Sequence, residues 1–267
     1  MGYTNNSLRS REETYILLFG FLSMGIIGLL DDILNIRGRW RVKWLSAWSK
    51  MLGMALFAWF ITYWFYTKLG VDRIILWPWS GIFHLWFWFI PLSFLLVIFI
   101  THAINITDGL DGLAGGMMSI VLAIIGVVMF TLKIYIATTL VGVVISILIA
   151  FLRFNINPAK IFMGDSGAFS LWWLISVAVL LLNMRVGIVI PFIVLFSPFI
   201  VELLSSFAQI LRKKYFHKKL FPIAPLHHLC EYHGMKEYTV VMKFWLIQWI
   251  LWLVSLIMIF YALKTVV

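Results

Sequence analysis

The sequence predicts an all-α, polytopic transmembrane helical bundle of about eight spans, and three observations carry that expectation. Of the 267 residues, 63% are hydrophobic and only 12% charged, with a mean hydropathy of +1.01; a soluble domain carries about a quarter charged residues. Apolar runs close to the roughly 20 residues a helix needs to cross the hydrocarbon core recur along the chain. The loops between them hold most of the basic residues, in two unequal sets. A water-soluble globule is excluded. With 7 prolines and one cysteine, Cys230, so are a collagen-like chain, a disulfide-stapled secreted domain and a tetrathiolate metal site.

The runs cover 14–34, 50–67, 83–104, 117–132, 135–152, 167–184, 187–210 and 240–263. The first follows Arg9, Arg11, Glu12 and Glu13 and has no small-residue cleavage site after it, so it reads as a span and not as a cleavable signal. Thr131, Lys133 and Tyr135 make a very tight turn between the fourth and fifth, where boundaries are least determined. The seventh carries Glu202 well inside and Gln209 near its inner end, and an intramembrane acid calls for a partner. No internal repeat, low-complexity tract or soluble second domain interrupts the pattern, so residues 1–267 read as one integral-membrane domain.

Eight spans put both termini on one side. One set of loops holds Arg37, Arg39, Arg41, Lys43, Lys50, Arg153, Lys160, Arg212, Lys213, Lys214, Lys218, Lys219, Lys236 and Lys243, 14 of the 21 basic residues; the other holds Arg9, Arg11, Lys68, Arg73, Lys133, Arg185 and Lys264. The positive-inside rule makes the first set cytoplasmic and both termini external. The net charge of +10 then serves topology and anionic headgroups or phosphates, with no nucleic acid implied.

Five of the six aspartates lie at the cytoplasmic ends of spans or in adjoining loops: Asp31, Asp32, Asp108, Asp111 and Asp165. Acids drift to helix ends to reach water, because an unpaired Asp at the bilayer centre costs about 2.5–3.5 kcal/mol. That explains depth but not side, since the external ends are equally wet and hold only Asp72. Adjacent Asp31 and Asp32 repel unless a cation or a shared proton holds them. Mg²⁺ suits such a site, binding one or two carboxylates together with substrate phosphates. Asp108 and Asp111 stand in Asn105-Ile-Thr-Asp108-Gly-Leu-Asp111-Gly-Leu-Ala-Gly115-Gly116; the spacing would share a helical face, and the glycines equally suit a tight loop that approaches a ligand. No Walker lysine follows, so this is not a P-loop.

The segment Phe154-Asn155-Ile-Asn157-Pro158-Ala-Lys160-Ile-Phe162-Met-Gly164-Asp165-Ser166-Gly167 opens the sixth span. Its Gly-Asp-Ser-Gly also surrounds the nucleophile of chymotrypsin-like proteases, but those are soluble β-barrels with a His–Asp pair; here Ser166 is expected to cap the helix. The segment Pro225-Leu-His227-His228-Leu-Cys230-Glu231-Tyr-His233 concentrates three of the six histidines. Adjacent histidines and a lone thiol fit zinc spacings poorly, and phosphate contact or proton handling suits them better. His84 reads as an ordinary interface side chain, and the 14 tryptophans need no cofactor.

Taken in order, these segments resemble the polyprenyl-phosphate N-acetylhexosamine-1-phosphate transferase superfamily, a glycosyltransferase family 4 type, and in particular its phospho-N-acetylmuramoyl-pentapeptide branch. The family's paired Asp matches Asp31-Asp32, and its Leu-Ser-x-x-x-Lys-x-Leu-Gly stretch matches Leu45 to Gly53, with Lys50 the lysine. Its Asn-x-Thr-Asp-Gly-Leu-Asp-Gly-Leu-Ala motif is Asn105 to Ala114, and its Phe-Asn-x-x-Pro-Ala-x-x-Phe-Met-Gly-Asp motif is Phe154 to Asp165. Glu202 and Gln209 fall on matching positions; Pro225 to Glu231 resembles the branch's His-rich signature, and Val240 to Trp245 its entry into the last span. Three features depart: Leu229 replaces the third histidine, Met54 replaces a usual glutamine, and the match starts at the family's third span of ten.

The resemblance implies transfer of phospho-MurNAc-pentapeptide from UDP-MurNAc-pentapeptide to undecaprenyl phosphate at the cytoplasmic face of a bacterial inner membrane, giving lipid I and UMP. It implies Mg²⁺ as cofactor, with Asp165 and Asp32 as ligands. Asp31 and Asp32 would support the metal or accept a proton from the lipid phosphate, with a two-step route through an Asp nucleophile as the alternative; Lys50, His227 and His228 would contact phosphates. Asn105, Asp108, Asp111, Asn155, Phe162 and Gln209 would shape the nucleotide pocket, with Phe162 placed to stack on uracil. A homodimer is compatible with the pattern. The alternatives are a sister transferase using another UDP-N-acetylhexosamine, an ion-coupled transporter, disfavoured because transporters hold carboxylates near the midplane, and a non-catalytic binding subunit.

Overall fold

The computed structural model describes residues 3–37, 47–77 and 81–266, with side chains at 13, 15–33, 51–77 and 81–264. Arg39, Arg41, Lys43 and Leu45 lie outside the described residues, as does the Lys50 side chain. The order is α1 (Tyr3–Arg37), α2 (Ala47–Thr67), β1 (Arg73–Ile74), β2 (Phe83–His84), a 3₁₀ turn (Trp86–Trp88), α3 (Phe89–Thr107), α4 (Leu113–Thr131), α5 (Tyr135–Asn155), α6 (Gly164–Arg185), α7 (Val189–Phe216), α8 (Leu226–Tyr232) and α9 (Glu237–Val266). Seven of these helices are long and apolar enough to cross a membrane, and α2 adds a shorter apolar stretch, Met51–Thr67. The chain is a multi-pass membrane protein.

Each of the eight sequence runs coincides with one long helix, but their edges differ. The third run begins too early: Phe83 and His84 pair antiparallel with Arg73 and Ile74, and helix starts only after the 3₁₀ turn. The fourth begins too late, because Leu113–Gly116 is already helical although its glycines are poor helix formers. Packing overrides propensity there, as Gly116 lies against the Trp245 indole of α9. The Asp72–His84 pair caps this hairpin, with His84 exposed at 3.4 Å.

The bundle is built around α6, of whose spanning window 89% is buried. Without a hydrophobic drive between helices in lipid, close approach through small residues is the main source of packing energy. The antiparallel α1 presents Gly20 to Trp173, Gly25 to Ser170 and Gly28 to the Asp165 and Ser166 backbone. The Trp173 indole N–H also donates to the Ile16 carbonyl at 3.1 Å. At the far end, Arg185 meets the buried Glu13 carboxylate at 2.6 Å. A Cβ on Gly28 would stand 2.5 Å from the Asp165 carbonyl oxygen, and backbone cannot swing aside. Gly28→Ala is therefore expected to destabilise by about 1–3 kcal/mol. Gly53→Ala, where a Cβ meets nothing within 4 Å, should be neutral or slightly stabilising; melting of both variants in detergent checks the contrast.

Several polar groups inside α7 and α9 are paired within the bundle. Pro198 lacks the N–H that would reach the Val194 carbonyl, and the Ser197 hydroxyl donates to that oxygen at 2.8 Å. From α9, Gln248 donates to the Leu195 carbonyl at 2.8 Å and Ser255 to the Pro191 carbonyl at 3.0 Å. These bonds tie the last helix to α7, as expected where no water can serve a freed backbone group.

Candidate active site

Alternating helix direction brings the end of α1, the end of α3, the start of α4, the end of α5 and the start of α6 to one end of the bundle. Asp31, Asp32 and Asp165 meet there, each offering an oxygen within 4.8 Å of the others. The geometry has a local cause. Gly164 adopts φ +64° to turn the chain into α6, and Asp32 covers the helix start, accepting the backbone N–H of Asp165 at 3.2 Å and of Ser166 at 3.1 Å. A helix start carries unpaired N–H groups and a partial positive charge, so a carboxylate is stabilised in that position. This corrects the expectation that Ser166 caps α6: the N-cap is Met163 and makes no side-chain bond, and the cap is supplied by Asp32 from α1. The reason is a close approach between segments distant in sequence.

The three carboxylates suit a hard divalent ion. Mg²⁺ takes oxygen ligands at about 2.0–2.1 Å and fills its shell with water and substrate phosphates. Asp32 accepts two N–H groups, yet a carboxylate has about four lone-pair sites, so capping and ligation are compatible. Among the described residues this is the one such cluster of His, Cys, Asp or Glu.

Beside it, α2, α3 and α6 enclose a cavity of about 250 Å³ lined by Met51, Met54, Thr101, His102, Asn105, Asp165 and Phe169. Asp165 thus belongs to both the acidic cluster and the cavity, and Asn105 faces it from α3. Lys50 immediately precedes Met51 in the first turn of α2. One turn past Asn105, Asp108 ends α3 with its surface exposed. Protein mass around it nevertheless withholds water, and burial pushes its carboxyl above the ordinary range. The adjoining residues form a loop, not a continued helix: Gly112, at φ +79°, starts α4.

The other expected site residues are held by the chain itself. Asp111 accepts the Ala159 N–H at 2.9 Å and an Asn157 amide N–H at 3.2 Å, while Glu237 of α9 accepts the Asp111 N–H and the Asn157 amide, both at 2.8 Å. Asn155 accepts the Gly112 N–H at 3.0 Å and donates to the Ile161 carbonyl at 2.8 Å. Trp245 donates to the Gly112 carbonyl at 3.2 Å. These bonds lock the α3–α4 and α5–α6 loops together. Phe162 projects from the second of these loops, 76% exposed. Gln209 accepts the Leu220 and Phe221 N–H groups at 2.8 and 2.9 Å and donates to the Phe221 carbonyl at 2.8 Å, which shapes the α7–α8 loop.

Glu202 finds its partner in His227, both 0% exposed: one oxygen accepts the His227 backbone N–H at 3.1 Å, the other its Nδ1 at 3.0 Å. The Nε2 edge abuts Gly109, where a Cβ would lie 2.3 Å away. His227 thus supports the Asp108–Asp111 loop from beneath. His228 is part-buried and turns Nδ1 to Glu231 at 2.8 Å. Sequence reasoning missed His102, Glu237 and Trp245. The first had a signal, since His102 and Asn105 are spaced to share a helical face.

Residues 14–183 match the family described as Glycosyl transferase family 4. The chain belongs to that family. Among curated family 4 relatives, the phospho-N-acetylmuramoyl-pentapeptide-transferase of Clostridium botulinum (strain Eklund 17B / Type B) is 37% identical over 246 residues, 92% of this chain and 74% of that protein. The protein of the same name from Caldanaerobacter subterraneus subsp. tengcongensis is 33% identical over 250 residues, 94% of this chain and 76% of that one. That of Clostridium perfringens (strain SM101 / Type A) is 32% identical over 235 residues, 87% and 70%. The family match takes in α1 to α6 almost entirely, which includes all three carboxylates of the cluster.

Proposed function

We propose that this chain transfers phospho-MurNAc-pentapeptide from UDP-MurNAc-pentapeptide to undecaprenyl phosphate, forming lipid I and UMP in peptidoglycan synthesis. The observation that carries the reading is the meeting of Asp31, Asp32 and Asp165 beside a cavity in a chain 37% identical to a transferase of that name over 92% of its length. The basic loops support placing this end of the bundle in the cytoplasm, at the inner membrane.

The acceptor needs little activation. A phosphate monoester has a second pKa near 6, so at neutral pH it is largely the dianion. The obstacle is repulsion between two anions. Mg²⁺, held by Asp165 and Asp32 with Asp31 beside them, would supply positive charge to the phosphoryl oxygens. The chain contributes placement: Asp32 fixes the start of α6 and therefore Asp165, and the Asp111–Ala159, Asn155–Gly112 and Glu237–Asp111 bonds fix the loops on which Asp108 and Phe162 stand. Lys50 and His228 would meet phosphates, and Phe162 would stack on the base. Asn155, Asp111 and Gln209 act through the loops they tie. One displacement forms a phosphorus–oxygen bond from the lipid phosphate and breaks that to UMP, which departs with the electron pair.

Purified protein incubated with Mg²⁺, undecaprenyl phosphate and a panel of UDP-sugars tests the reading. UMP release with UDP-MurNAc-pentapeptide, and little with other UDP-N-acetylhexosamines, is expected. Release with a different sugar would move the chain to a sister activity, and none with any would remove the transferase reading.

A further inference from the structure

The cavity between α2, α3 and α6 contains a side chain that the reading above leaves without a role. His102 lines it together with Asp165. Six residues before Asp108, it lies about 9 Å further along the helix axis toward the bundle interior. That depth discriminates between the two substrates. A water-borne sugar nucleotide reaches the site from the aqueous end, whereas a phosphate at the level of His102 must be carried on an apolar tail. The walls fit such a ligand, for Met51, Met54 and Phe169 are apolar and His102 and Asn105 polar.

Among the described residues the donors lining this cavity are few. The Thr101 hydroxyl is spent on the Val97 carbonyl at 2.8 Å. Asp165 is an acceptor when ionised. Met51 and Met54 from α2 carry thioethers, which donate no hydrogen bond. Among the described residues no hydrogen bond engages the side chains of His102 or Asn105. A phosphate entering this cavity thus has, among the described residues, these two side chains to donate to it from α3.

We propose that His102 contacts the phosphate of the lipid-borne acceptor, donating a ring N–H to it within the cavity that Asp165 also lines. The proposal rests on the transferase reading and extends it by assigning the α2–α3–α6 cavity to the acceptor and not to the sugar nucleotide. His102 is thereby a specificity residue for a polyprenyl monophosphate.

The test uses the full chain in detergent, as His102→Ala, His102→Gln and the double variant His102→Ala with Met54→Gln. A hydrogen bond to a charged group lost from a site lowers binding by roughly 10- to 100-fold. His102→Ala is therefore expected to raise KM for undecaprenyl phosphate about tenfold or more, with KM for the UDP-sugar within about twofold of the parent. His102→Gln, or the added Met54→Gln, should recover a large part of that rise. Equilibrium binding of undecaprenyl phosphate, followed by tryptophan fluorescence, should shift in parallel and resist competition by millimolar inorganic phosphate. Unchanged binding of the lipid, an equal rise in both KM values, a rise confined to the UDP-sugar, or equal competition by inorganic phosphate would each overturn the proposal. If the parent protein releases no UMP, the transferase reading fails. The lipid-binding comparison between parent and variants still decides the role of His102.

Discussion

Asp165→Asn is expected to lower transfer by about 10²- to 10³-fold or more while leaving the bundle folded. The amide keeps the size of the side chain, and the Asp165 backbone N–H still donates to Asp32 at the start of α6. What is lost is a negative oxygen shared by the acidic cluster and the cavity. Electrostatic stabilisation of a transferring phosphoryl group contributes several kcal/mol, and each 1.36 kcal/mol is a factor of ten in rate. UMP release measured beside thermal melting separates the two effects. An unchanged melting curve with a collapsed rate is the expected pair. Near-normal turnover would remove Asp165 from the metal site.

Glu202→Ala should have the largest effect on stability. Glu202 and His227 are wholly buried, and Glu202 accepts both the backbone N–H and the ring Nδ1 of His227. Truncation strands two buried donors, at about 1–3 kcal/mol each. The damage should extend to transfer, because His227 packs under Gly109, next to Asp108. Glu202→Gln retains one acceptor oxygen and should cost about half as much. A melting temperature for Glu202→Ala equal to that of the parent would show that the pair does not hold α8 in place.

How far the sequence reveals this arrangement depends on the distance over which each feature is determined. The spans are local, set by run length and hydropathy, and α1 to α7 and α9 follow the apolar runs closely. Their edges are set by packing. Leu113–Gly116 reads as a weak start to a helix, yet it is helical because Trp245 presses on Gly116 and holds the Gly112 carbonyl. The grouping of Asp31, Asp32 and Asp165 was inferable from topology, since three segments deliver carboxylates to one end. The capping of α6 was not. Ser166 satisfies the local rule for a cap, but the bonds come from Asp32, 134 positions earlier. Glu202 and Gln209 were marked as polar groups in need of partners. Those partners, His227 and the Leu220–Phe221 backbone, depend on how the α7–α8 loop folds back.

His102 is likewise revealed only by tertiary packing. Set in an apolar run, it resembles a tolerated interior histidine, and only the closing of α2 and α6 around α3 shows that it shares a cavity with Asp165. The Asp111–Asn157–Glu237 bonds are likewise a product of two loops meeting the start of α9. These contacts explain why residues that match the family's site can support the site through the loops without touching a ligand.

The convergence of Asp31, Asp32 and Asp165 on one ion is tested most directly by anomalous scattering from crystals of the protein grown with Mn²⁺ and UMP. One ion is expected, with oxygens of Asp165 and Asp32 among its ligands at roughly 2.0–2.2 Å and Asp31 alongside. An ion bound elsewhere, or none between α1 and α6 at millimolar Mn²⁺, would contradict the account.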